Sequence, residues 1–112
     1  MAIVNGKALK IFEKYLRKSI KDSQKILDIG TSARFVKELR QFEYLFENKK
    51  YIAAGYNPSM KYEKYNCDCH QNIENITYHD NEFDTIICLE VLEHVQDPFK
   101  ASKELYRVLK GG

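Results

Sequence analysis

Three groups of side chains in this sequence combine residue type and spacing in a way that could do chemistry. Glu90, Glu93 and His94 stand at i, i+3 and i+4, so a helical segment would set two carboxylates and an imidazole on one face. Such a set could hold a divalent metal; the plainer alternative is a segment that lines a ligand pocket without any metal. Cys67, Cys69 and His70 form a second group. Their C-x-C spacing is not the C-x-x-C of a zinc knuckle and no second pair follows, so free thiols beside a strand are the simpler reading. The third group is Asp28 with Gly30, Thr31 and Ser32. There a carboxylate ends an apolar run, and a glycine follows where backbone amides can approach a ligand closely. No Ser-His-Asp or Cys-His nucleophile follows from spacing, so no catalytic residue is named. A G-x-x-x-x-G-K phosphate loop is absent.

The elements that would position these groups can be read from periodicity. Leu9, Phe12, Leu16 and Ile20 recur at spacings of three and four, which predicts an amphipathic helix over 7–20 within an N-terminal segment 1–22. Residues 25–29 read as a short buried strand that ends at Gly30. Phe35, Leu39, Phe42 and Phe46 then form an apolar stripe that predicts one continuous helix. Residues 51–54 predict a second strand, stopped by Gly55 and Asn57-Pro58, and a third is expected near 65–69. Residues 83–89 carry apolar side chains on both faces, as in a strand covered by helices on each side, with Cys88 in the core. Asp97-Pro98 is a capping residue followed by proline at the first helical position. Ala101, Leu105, Val108 and Leu109 form the inner face of that last helix.

Strands that alternate with helices imply parallel pairing and right-handed crossovers, hence an α/β, Rossmann-like doubly wound sheet. Ligands bind such sheets beyond the carboxyl ends of the strands. At 112 residues the chain is a single domain, 1–112, with room for one modest core. Its 18 basic and 16 acidic residues give +2, a balance that argues against nucleic acid or an anionic membrane as partner. No apolar run reaches the roughly 20 residues of a membrane span. Three cysteines and no secretory pattern at the start predict reduced thiols in the cytoplasm.

From about Lys25 to Gly112 the chain resembles the first half of class I S-adenosylmethionine-dependent methyltransferases, in the broad type 11-like group. The resemblance rests on Ile26-Leu27-Asp28-Ile29-Gly30, on Tyr51 to Met60, and on a long third piece. That piece runs from Asn81-Glu82-Phe83-Asp84 through Leu89-Glu90-Val91-Leu92-Glu93-His94-Val95 and Asp97-Pro98 to Gly112. It implies a strand order of 3-2-1-4 and a cofactor site for S-adenosylmethionine. The site would be built from Asp28, Gly30, Thr31 and Ser32, from Gly55, Tyr56 and Asn57, from Asp68 and Cys69, and from Leu89 and Glu90. In the resemblance, Asp28 orients the loop or accepts from the cofactor's ammonium, and Asp68 meets the adenine amino group. The Glu90, Glu93 and His94 pattern also resembles the metal site of some relatives.

Two departures from the family pattern bear on affinity. The glycine-rich loop keeps only Gly30, with Ser32, Ala33 and Arg34 following where further glycines are usual. The acid that would accept from the ribose hydroxyls is replaced by Gly55, and losing such a bond costs about 1.5–3 kcal/mol, or one to two decades. Cofactor binding by this chain is therefore expected to be weak or lost. The chain also stops where the family's fifth strand would begin, which leaves strand 83–89 as an apolar edge. A homo-oligomer or a protein partner is expected to cover it. The implied function is an S-adenosylmethionine-dependent methyltransferase, or the N-terminal portion of one, with an unnamed acceptor. The alternative is an inactive methyltransferase-like module that works through protein–protein association.

Overall fold

The computed structural model describes residues 6–31, 34, 35, 37–55, 67–89 and 95–111. Helix α1 (Gly6–Ile20) precedes strand β1 (Lys25–Ile29), short helix α2 (Lys37–Arg40), a 3-10 turn (Glu43–Phe46) and strand β2 (Lys50–Gly55). Strands β3 (Cys69–His70) and β4 (Thr85–Ile87) and helix α3 (Pro98–Val108) complete it. The sheet is parallel, in the order β3-β2-β1-β4, as the βα alternation and the resemblance led one to expect. Alternation along β1 sends Ile26 to one face, with Leu16, Ile20, Leu39 and Phe46, and Leu27 and Ile29 to the other, with Ala101 and Val108. Both faces of β1 are thus buried, which is why the strand reads as a nearly unbroken apolar run.

The single helix predicted over 35–46 is corrected to two short pieces. Phe35 adopts φ 49, in the left-handed region, and stands outside α2. The Phe42 amide donates to the Leu39 carbonyl at 2.8 Å and Leu45 to Phe42 at 2.9 Å, so the chain turns in steps of three. The cause is packing. Phe35 stacks on Tyr51 with ring centroids 4.2 Å apart, and Phe46 meets both rings edge-on at 5.2 Å. All four stripe residues still reach the core, but tertiary contacts override the helical period that brought them there.

Strand 83–89 is also shorter than expected. Only Thr85–Ile87 pair with β1. Phe83, fully buried, instead forms a parallel bridge with Leu109: its amide donates to Val108 at 2.9 Å, and the Lys110 amide donates back to it at 2.7 Å. The outer edge is therefore already occupied at its base by residues 108–110. Cys88 is half-buried rather than fully in the core. The Asp84 carboxylate accepts from the amides of Gln24 and Lys25 at 2.8 and 2.9 Å, tying the start of β1 to β4.

The Asp97-Pro98 start of α3 is as expected, with the Asp97 carboxylate accepting from the Lys100 amide at 3.1 Å. Asp97→Ala should cost about 1 kcal/mol, read as a lower urea midpoint with an unchanged slope. An unchanged midpoint would show that the cap contributes nothing. Arg107 fastens α3 to the preceding loop. It donates to the Ile76 and Tyr78 carbonyls at 2.7 and 3.0 Å and pairs with Asp80 and Glu104 at 2.7 Å each. Among the described residues no helix is long and apolar enough to cross a membrane.

Candidate functional site

In a sheet of this order, the chain steps outward from β1 to β2 and β3 and then returns past β1 to β4, so the strand order reverses at β1 and a crevice opens at its carboxyl end. Asp28 is the penultimate residue of that strand and only 2% exposed. It lies opposite Ala53 of β2 and Ile87 of β4. Its partner among the described residues is the Tyr51 hydroxyl, which donates to its Oδ2. Burial pushes the Asp28 carboxyl from its ordinary 3.8 up to about 6, with the Tyr51 bond pulling the other way. Burial, and then the neighbouring Asp28 charge, push the Tyr51 hydroxyl strongly upward, so it stays a donor. The same hydroxyl accepts from the Phe35 amide at 3.3 Å. One tyrosine thus joins the strand acid to the far end of the loop that follows it.

Gly30 turns the chain out of β1 at φ 83, a conformation that costs glycine little and other residues more. The Gly30 and Thr31 amides both donate to the Ala54 carbonyl, at 2.8 and 3.3 Å, so this first part of the loop is held against β2. Beyond it, Arg34 lies over the rings of Phe35 and Tyr51 at 5.7 and 5.1 Å and pairs with Asp68. Asp68 accepts on the same oxygen from the Ala53 amide at 2.8 Å. The carboxylate expected to face a ligand is therefore fixed on one side by Arg34 and β2 and remains exposed.

Cys67 and Cys69 diverge. The Cys67 thiol points at the Thr31 carbonyl, 3.7 Å away, whereas Cys69 lies 3.6 Å from the Tyr78 hydroxyl among the side chains packed against α3. Burial raises the Cys67 pKa, with the Asp28 and Asp68 charges adding to the effect, and a thiol so placed is not a reactive thiolate. The two cysteines and His70 do not gather as a metal site, and among the described residues no cluster of three metal-binding side chains exists. Glu90, Glu93 and His94 lie outside the described residues, as do Ser32, Tyr56 and Asn57. Leu89 is half-buried against the core beside α1. At the end of β2, Gly55 is buried under the His70 ring.

Sequence reading placed Asp28, Gly30, Gly55 and Asp68 near one another, and the structure brings them to the same end of the sheet. It missed the Tyr51 bridge, the Arg34–Asp68 pair and His70 over Gly55. Each joins residues far apart in the chain, and only the buried tyrosine at the start of a strand offered a signal, since a buried hydroxyl needs a partner.

Residues 27–112 match the family described as Methyltransferase domain. A tRNA U34 carboxymethyltransferase from Nautilia profundicola is 32% identical over 102 residues, covering 81% of this chain and 32% of that protein. Among solved structures, the YcgJ protein of Bacillus subtilis superposes with a TM-score of 0.62 at 22% identity, over 90% of this chain and 47% of that one. A candidate S-adenosyl-L-methionine-dependent methyltransferase from Methanococcus maripaludis superposes with a TM-score of 0.57 at 16% identity, over all of this chain and 64% of that one. The chain thus spans about a third of the curated relative's length.

Proposed function

Because this chain belongs to the methyltransferase domain family, we propose that it forms the cofactor-holding part of an S-adenosylmethionine-dependent methyltransferase. The observation that carries the proposal is a buried carboxylate, Asp28, set two residues before a left-handed glycine at the reversal point of the sheet. The solved relative from Methanococcus maripaludis, whose description names the same cofactor, supports the choice of ligand. The residues present fit that group. Asp28 and the Gly30 turn form the side suited to an ammonium and a polar chain, and the exposed Asp68 carboxylate suits an amino group.

When bound, the cofactor supplies an activated methyl group. What this chain's residues contribute is position and exclusion of water. Tyr51 holds Asp28 and the end of the loop together, and Arg34 holds the loop to Asp68. Geometry of this kind accelerates a displacement by alignment rather than by acid–base chemistry. Without a carboxylate at Gly55 the affinity is weak. At about 1 mM S-adenosylhomocysteine, a dissociation constant near 0.1 mM would add about 1.4 kcal/mol to stability, readable as a raised Tm. No shift at that concentration contradicts the proposal.

Association through the β4 edge belongs to the same reading. Among the described residues only its base is covered, by residues 108–110, and a strand from a second copy or a protein partner would continue the parallel pairing begun there. Light scattering over a dilution series should show a mass that rises with concentration. A constant monomer mass at high concentration, with no partner present, contradicts this part.

A further inference from the structure

In nucleotide-binding βαβ folds an acid at the end of the second strand accepts from the ribose hydroxyls. Here that strand ends at Gly55, which offers no side chain. The space beside it is filled nonetheless. A Cβ on Gly55 would lie 2.9 Å from Cδ2 and 3.2 Å from Nε2 of His70, and 3.6 Å from the Cys67 sulfur. The parallel register sets His70 of β3 directly beside Gly55, so the imidazole leans across onto the end of β2. His70 is exposed, and among the described residues no hydrogen bond engages its ring. A polar ring thus stands where the strand itself provides none, and glycine at 55 is what lets it come so close.

We infer that His70 recognises the vicinal hydroxyls of the cofactor's ribose, with Gly55 as the residue that admits its ring. This rests on the reading of the site as one for S-adenosylmethionine. An imidazole offers a single acceptor or donor at each nitrogen, where a carboxylate accepts from both hydroxyls at once. The bond is worth about a three- to tenfold gain in affinity, less than an acid would supply. The same contact bears on Gly55→Asp. Its new Cβ would meet the ring, so the acid improves binding only if His70 first gives way.

The test is a titration of S-adenosylhomocysteine and of its 2′,3′-dideoxyribose counterpart against the full chain and three variants: His70→Ala, Gly55→Ala and the double variant. Gly55→Ala displaces the ring without changing its chemistry. Each single change should weaken S-adenosylhomocysteine about three- to tenfold and leave the dideoxy ligand nearly unaffected. The double variant should be no weaker than either single one, since both remove one contact. Equal losses on both ligands, or no loss in His70→Ala, would overturn the inference while leaving the cofactor site intact. Failure of the unaltered chain to bind S-adenosylhomocysteine at all would instead overturn the reading beneath it. Should Gly55→Ala fail to fold, His70→Phe keeps the ring's bulk without its nitrogens and should weaken the ribose ligand as His70→Ala does.

Discussion

Asp28→Asn should make the fold more stable near neutral pH and at the same time weaken cofactor binding. Folded Asp28 keeps its proton up to about pH 6, whereas in the unfolded chain the carboxyl releases it near 3.8. Between these values the folded state binds more protons, so stability falls as pH rises through the window, and the full penalty is present above it. Two pH decades at about 1.4 kcal/mol each put that penalty on the order of 3 kcal/mol. Asparagine carries no charge to desolvate and still accepts from Tyr51. Urea unfolding at a series of pH values should show the variant about equal to the parent near pH 4 and more stable above 6. Glu82, Asp84 and Glu104 have lowered pKa values through bonds to Lys25, to backbone amides and to Arg107. Their stabilisation is lost on acidification in both proteins, so the difference between the two profiles isolates Asp28. A variant that is less stable at neutral pH would show that Asp28 is ionised there at no cost. A costly buried acid is what a ligand-facing group predicts, and binding should fall about tenfold or more in the variant.

Tyr51→Phe should act in the opposite direction. It removes the hydroxyl that donates to Asp28 and accepts from Phe35, while the stacked ring remains. A hydrogen bond to a buried charged group is worth about 1.5–3 kcal/mol, so the loss should be of that size at neutral pH and smaller in acid, where Asp28 is neutral. The carboxyl should hold its proton to still higher pH, since the bond that lowered its pKa is gone. In an Asp28→Asn background the cost of Tyr51→Phe should shrink toward that of the Phe35 bond alone. Strict additivity of the two changes in a double-mutant cycle would mean that the hydroxyl and the carboxyl do not interact.

The fold was legible where local signals agreed. The run of residues 25–29 ending in glycine, the Asp97-Pro98 start and the βα alternation all recur in the structure with the expected parallel pairing. Legibility failed where a distant contact outbid the local pattern. Phe35 leaves its helix because Tyr51, on the next strand, takes both its ring and its amide. Phe83 leaves β4's pairing because Val108 and Lys110 claim its backbone. At the site, Asp28, Gly30 and Asp68 stand out by type and position, but what modifies them does not. Arg34 and Asp68 lie 34 residues apart, and nothing in either neighbourhood announces the other. His70 drew notice only as a neighbour of cysteines, although its place over Gly55 follows from their register.

The carboxyl ends of β1, β2 and β3 are proposed to form a site for S-adenosylmethionine. Backbone amide NMR during titration with S-adenosylhomocysteine tests it most directly, because it reports weak binding and its location together. Saturable shifts should appear at residues 28–31, 53–55 and 67–70, with α1 and the outer face of α3 unmoved. Asp28→Asn should diminish them at equal ligand concentration. Amides at the strand ends that stay unmoved at about millimolar ligand, or shifts confined to α1 or α3, would contradict the account.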